Sequence, residues 1–282
     1  MSTCSGTPSS RSPSIWAWPS RRSTPCVRRP EVILDPGETL DALIGPWSIF
    51  QLARGHRFST DDLVTAWRAS LAAPRARTLL DLGCGVGSVG LCTLYRVGPE
   101  ASLVAIEAQD VSVGLFRRTI AHNHLSERIT LHHGDLRDPT ILPEGSRFEL
   151  ITGSPPYVPV GNGVISPHPQ RAGARMELRG SVFDYCAAAA RWLAPGGRLC
   201  FVMLADDPRT EAAPLAAGLG VIERWDYVFG AGREPHIATL VCGHADEVSR
   251  RPRRTGTLII RGEDGVHTEA YQAFRRDMGF TR

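Results

Sequence analysis

Short apolar runs ending in glycine or an acid recur along the chain, separated by segments whose apolar residues fall every three or four positions. "TLLDLG" at 78–83, "SLVAIEA" at 102–108, "ITLHHGD" at 129–135, "FELITGS" at 148–154, "GRLCFVML" at 197–204 and "HIATLVCGH" at 236–244 read as strands. Compact apolar and β-branched runs of this kind, bounded by turn formers, suit strands buried on both faces. "SVGLCTLYRV", "VSVGLFRRTIAHNHL" and the alanine-rich "FDYCAAAARWLA" carry helical spacing. The alternation predicts an α/β fold, a doubly wound, mostly parallel, Rossmann-like sheet with flanking helices. Ligands of such sheets bind outside the carboxyl ends of the strands, near the switch in strand order. The unusual residues of this sequence fall at those ends.

Residues 1–30 break the pattern. Ser, Pro and Arg dominate, neither periodicity is present, and a disordered tail is expected. The five prolines argue against an amphipathic targeting helix. Residues 31–282 are expected to form a single domain, with a helical lead-in over 31–77 followed by the core and a C-terminal extension over 78–282.

Composition narrows the function classes. Hydrophobic content of 42% with 22% charged residues fits a globular protein, and no apolar run approaches the ~20 residues of a spanning helix, so no membrane-embedded body is expected. The formal net charge is +3, and the five arginines before Glu31, with no acid among them, more than account for it. Nucleic acid would therefore be held by local patches and not by a protein-wide field. The seven cysteines form no CxxC and read as buried thiols of a reducing cytoplasm. The histidine pairs His122/His124 and His132/His133 lack acidic or cysteine partners at ligand spacing, so no metal is expected.

In "DLGCGVGSVG", Gly83, Gly85 and Gly87 follow a strand and open a helix, where the backbone can turn tightly and admit a ligand. Glu107 ends the next strand, where its carboxylate can accept both hydroxyls of a ribose. The same stretch satisfies the dinucleotide fingerprint. Asp81 separates the two readings: an acid at this turn would repel a pyrophosphate, but it suits S-adenosyl-L-methionine, which has no phosphate and carries an ammonium and a sulfonium. Asp81 also reads as a cap on the following turn. Asp135 and Leu136, after the third strand, lie where the ring of a bound adenosine would reach.

"DLGCGVG", Glu107, Asp135 and "SPPY" at 154–157, in this order, resemble the Rossmann-like S-adenosylmethionine-dependent methyltransferases that act on an amino nitrogen of a planar group. In that group the fourth motif is Asn, Asp or Ser followed by Pro-Pro and an aromatic. The resemblance implies a catalytic clamp of Ser154, Pro155, Pro156 and Tyr157. A conjugated amine is a poor nucleophile, and the Ser154 hydroxyl and Pro155 carbonyl would accept its two N–H groups and orient its lone pair. The prolines fix the carbonyl and offer no competing donor. Tyr157 would stack on the flat substrate.

Outside the core, "GETLDALIGPWSIFQLARGHRFSTDDL", "RAGARMELRGSVFDYCAAAARWLAPGGRLCFVM" and "GTLIIRGEDGVHTEAY" are similar to the bacterial tRNA1(Val) adenine-N6 methyltransferase family. This resemblance implies N6-methylation of an adenine beside a tRNA anticodon. Two positions depart from the family: Ser154 stands where most relatives have asparagine, and Thr119 where the helix after the second strand usually has one. Arg171, Arg175 and Arg179, and the run Ser249 to Arg254, are candidate phosphate contacts. A protein glutamine-N5 or RNA guanine-N2 methyltransferase could use a similar clamp, and a weakly catalytic cofactor-binding subunit for RNA or a partner is a further alternative.

Overall fold

The structure, a computed structural model, describes residues 32–162, 166–248 and 252–280. The expectation for the tail at 1–30 lies outside these residues, as do Ser249, Arg250 and Arg251 of the basic run.

The described chain begins with two strands, β1 (Glu38–Ile44) and β2 (Trp47–Leu52), then helix α1 (Thr60–Ala72). The core follows as β3 (Thr78–Leu82), α2 (Ser88–Val97), β4 (Ser102–Glu107), α3 (Asp110–His122), β5 (Ile129–His133) and β6 (Phe148–Gly153). Next come α4 (Pro169–Arg175), α5 (Val182–Trp192), β7 (Leu193–Leu204), α6 (Arg209–Ala216), β8 (Leu219–Val228) and β9 (Ile237–His244). The short α7 (Ala245–Val248), β10 (Arg254–Ile259) and α8 (Glu269–Asp277) close the chain.

Eight strands form one sheet in the order β10-β8-β9-β7-β6-β3-β4-β5. β9 pairs antiparallel with both neighbours, and every other pairing is parallel. The doubly wound, mostly parallel sheet expected from the alternation is therefore present. From β3 the chain winds outward through β4 and β5, then returns to place β6 on the other side of β3. That reversal puts a crevice at the carboxyl ends of β3 and β6. Leu80, Leu82, Ile151 and Phe201 are buried beneath it in the sheet's core.

The lead-in expected to be helical over 31–77 has one helix, α1, preceded by two strands. β1 and β2 form an antiparallel hairpin in which Ile44 faces Trp47 across Gly45 and Pro46. Gly45 has φ of +52°, and a Cβ there would lie 2.4 Å from the ring of Tyr95, so turn and packing both require glycine. The alternation of Leu40, Ala42 and Ile44 before a Gly-Pro turn was the strand signal. The hairpin docks on α3: Phe50 donates its backbone N–H to Thr119 Oγ1 at 3.0 Å, and Asn123 Oδ1 accepts from Ser48 N at the same distance. Thr119 is fully buried and faces the hairpin; it is not among the residues lining the cavity described below.

β8 and β10 are further strands beyond those the apolar runs predict; in β8, "LGVIERWDYV" interrupts its apolar residues with charge. Glu223 on β8 is buried, and arginines from two elements, Arg68 of α1 and Arg254 of β10, satisfy it.

Candidate active site

A cavity of about 490 Å³ opens at the switch point, and all eleven predicted site residues except Gly87 line it. Gly87 supports it from behind as the left-handed residue that opens α2.

The loop after β3 has Gly83, Gly85 and Gly87 at φ of +56°, +57° and +91°. Added Cβ atoms would strike Tyr185 at Gly83 and Phe116 at Gly87, whereas one at Gly85 would meet nothing within 4 Å. Gly85 thus presents bare backbone to open space. Because Gly87 cannot cap with a side chain, the first turn of α2 needs an acceptor from elsewhere. Asp81 supplies it: its Oδ2 accepts from Gly90 N at 3.0 Å, and its Oδ1 from Thr152 Oγ1 at 2.7 Å. The capping role is thereby realised. Burial pushes the Asp81 carboxyl up to about 7 in spite of both bonds.

Glu107 accepts from Gly85 N at 2.8 Å through one oxygen and from Gln109 N at 2.7 Å through the other. Burial raises its pKa, and backbone donors together with the charge of Arg179 oppose the shift. Asp135 forms a two-pronged pair with Arg137, which holds its carboxyl below the usual range, and Leu136 beside it is buried.

The SPPY segment leaves the end of β6, the strand beside β3, and lines the same cavity. Pro155 and Pro156 are buried; Ser154 and Tyr157 are half-buried. The Tyr157 hydroxyl donates to Asp61 Oδ2 at 2.8 Å, while its carbonyl accepts from Arg209 Nη2 at 3.2 Å. Arg209 also pairs with Glu177 and Asp207, tying the segment to the stretch after α4.

The lead-in supplies cavity residues that the sequence reading passed over. Ser59 and Asp62 form a capping box at the start of α1, and Asp62 Oδ1 also accepts from Ser88 Oγ at 3.0 Å, joining the starts of α1 and α2. The S-x-x-D spacing of "STDD" was the available signal. Asp62 is buried and its pKa is raised by that burial. The predicted arginines reach the cavity by different routes. Arg171 donates to the carbonyls of Arg54 and Gly55, pinning α4 over the site. Arg175 and Arg179 line the cavity and are exposed.

A family model described as the methyltransferase small domain matches residues 58–224, more than half of the chain, and spans both the glycine loop and the SPPY segment. The chain belongs to the methyltransferase small domain family. It is an S-adenosylmethionine-dependent methyltransferase. Among curated proteins it is 28% identical over 217 residues to the tRNA1(Val) (adenine(37)-N6)-methyltransferase of Citrobacter koseri, covering 75% of this chain and 82% of that protein. The enzyme of the same name from Escherichia coli O157:H7 is 28% identical over 214 residues, with the same coverage. Among solved structures, one described as a "predicted O-methyltransferase" from Agrobacterium tumefaciens superimposes with a TM-score of 0.54 at 20% identity, covering 78% of this chain and 97% of that one.

The methyltransferase's cavity fits this cofactor. Gly85 leaves room where any side chain would intrude, and the Glu107 carboxylate, held by the Gly85 and Gln109 amides, lines the same cavity. Asp62, Asp81 and Glu107 make the floor acidic, which suits a cation. Among the described residues, no group of three or more His, Cys, Asp or Glu could hold a metal ion, and no helix is long and apolar enough to cross a membrane.

Proposed function

We propose that this methyltransferase modifies the exocyclic N6 amine of an adenine in tRNA, close to the anticodon, with Ser154, Pro155, Pro156 and Tyr157 as its clamp. The observation that carries the reading is that SPPY and the glycine loop, leaving the ends of the adjacent strands β6 and β3, line one cavity. The names of the curated relatives support the base and the RNA class.

When bound, S-adenosylmethionine supplies an electrophilic methyl group. Glu107 accepts the ribose hydroxyls, Asp135 and Leu136 border the adenine ring, and the acidic floor balances the cationic end. The Ser154 oxygen and the Pro155 carbonyl would each accept one N–H of the target amine, directing its lone pair toward the methyl group. Tyr157 stacks on the base, worth about 1–3 kcal/mol for a nucleobase. Positioning of this kind carries most of the acceleration and requires no strong general base. Arg175, exposed at the rim, contacts a phosphate.

Methyl transfer from labelled cofactor to unmodified tRNA, with nucleosides identified after digestion, tests the reading. N6-methyladenosine is expected. N2-methylguanosine, or N5-methylglutamine in a protein fraction, would replace it with the corresponding alternative.

A further inference from the structure

His236 lines the same cavity as the SPPY segment, yet it follows no carboxyl strand end. β9 runs antiparallel to β7 and β8, so it delivers its amino end to the crevice. His236 is the residue just before that strand and is exposed, whereas Ile237 to Cys242 behind it are buried. β7 stands between it and SPPY: Gly153 of β6 pairs with Phe201 on one side of β7, and Ile237 of β9 pairs with Leu204 on the other. Two strand spacings, roughly 10 Å, therefore separate the lines of β6 and β9.

The backbone of His236 is held from both sides. Its N–H donates to the Tyr227 carbonyl at 2.9 Å, and its carbonyl accepts from Ala205 N at 3.0 Å. Pro235 before it stiffens the approach further. The imidazole meets Phe229 edge to face, with ring centroids 5.4 Å apart and planes at 81°. Such a contact covers at most one face of the imidazole. No hydrogen bond or ion pair among the described residues takes up its ring nitrogens. An exposed ring on a fixed backbone, beside the SPPY segment, can therefore receive a second flat group.

A base flipped toward SPPY leaves its neighbours in the strand without a stacking partner, and that loss is part of the cost of flipping. A protein aromatic can replace the lost partner, because every base offers a π-face. Tyr157 is occupied by the target adenine, which leaves His236 for the next base. We propose that His236 is a stacking platform for the base of a nucleotide flanking the target adenine; the inference rests on the reading that SPPY clamps an adenine of RNA. Stacking accepts any base, so His236 favours an RNA strand over a lone adenine without reading sequence.

Steady-state methylation by the full chain tests the inference with His236→Ala and His236→Phe. The substrates are unmodified tRNA and the same tRNA carrying an abasic residue on one or the other side of the target adenine. His236→Ala should raise KM for the intact tRNA at least about fivefold, the loss of one stacked base, with kcat within about twofold of wild type. His236→Phe keeps a flat ring without the nitrogens, so its KM should stay within about twofold of wild type. On one of the two abasic tRNAs the His236→Ala penalty should shrink below about twofold, because the base that the ring would meet is gone. Cofactor affinity by calorimetry should be unchanged in both variants, since β7 and β6 stand between β9 and the glycine loop after β3. Unchanged KM in His236→Ala, a loss of kcat alone, an equal loss in His236→Phe, or a full penalty on both abasic tRNAs would overturn the platform while leaving the clamp intact. Absence of transfer to intact tRNA by the wild-type chain would sink the functional reading and this inference together.

Discussion

The carboxylate of Glu107 accepts the amide proton of Gly85 over 2.8 Å, joining the end of β4 to the loop that follows β3. One side chain thus shapes the glycine loop and lines the cavity. Glu107→Ala should weaken S-adenosylmethionine binding by roughly ten- to a hundredfold, from the loss of charge-assisted bonds worth about 1.5–3 kcal/mol. Glu107→Gln, which can still accept from Gly85 N, should lose less. Isothermal titration calorimetry measures both, and unchanged affinity in Glu107→Ala would remove this residue from the cofactor site.

Asp81 should make S-adenosylmethionine binding pH-dependent. Its carboxyl is pushed up to about 7 by burial, with the charges of Asp62 and Glu107 adding to the shift. A bound cation favours the ionised form, so binding releases a proton and affinity should rise between about pH 6 and pH 8. The demethylated product, which lacks the sulfonium charge, should show a shallower rise, and Asp81→Asn should flatten both. Folding of the free protein responds with the opposite slope. An unfolded aspartate titrates near pH 3.9, so the Asp81 contribution to stability is fully present below about pH 4 and is lost as the pH rises through about 7.

Much of this site was legible because its residues sit at strand ends, where buried apolar runs stop abruptly at glycine, acid or proline. Asp81, Glu107, Asp135 and Ser154 each end such a run or closely follow it, and the winding of a parallel sheet brings those ends together. The lead-in was harder to read. β1 and β2 are a half-buried hairpin supported by α3, and Thr119 carries a contact that exists only once the two elements have met. β8 was hidden by Glu223, whose burial is tolerated because Arg68 and Arg254 come from positions far away in sequence. The link from Tyr157 to Asp61 spans 96 residues and leaves no local signature.

The Glu223 network gives a stability prediction separate from the site. Arg68 is buried against Glu223 and lies over the Trp225 ring at 4.4 Å, so Glu223→Ala would strand a buried guanidinium. Loss of one partner of a buried pair costs about 3–5 kcal/mol. Denaturant unfolding should register that loss, while cofactor affinity measured under folded conditions should be unchanged, since Glu223 does not line the cavity.

Thr119→Ala tests how the hairpin is held. The substitution leaves Phe50 N buried without its acceptor, a penalty of about 1–3 kcal/mol. Because the hairpin leads directly into His56, Arg57 and Asp61 at the cavity, loosening it should also raise the proton-exchange rate of the amides in the first turn of α1. Exchange measured by mass spectrometry that changes only in β2 would confine the role of Thr119 to docking the hairpin.

Arg175 and Arg179 are four residues apart, yet they should fail in different ways. The charge of Arg179 acts on Glu107 and Asp135, and its Nη1 would lie 2.8 Å from a Cβ placed on Gly173, so it stands on the Glu107 side of the cavity. The backbone carbonyl of Arg175 holds Val158 N of the SPPY side at 3.1 Å. If Arg175 contacts a phosphate in the single-stranded anticodon loop, Arg175→Ala should lower the slope of log affinity against log salt by about 0.7 and leave cofactor binding alone. Arg179→Ala removes a positive charge from beside two carboxylates; it should change cofactor affinity and leave the salt slope for RNA unaltered. Filter binding of tRNA across a salt series, paired with cofactor calorimetry on the same proteins, separates the two, and a shared loss of slope would assign both arginines to RNA.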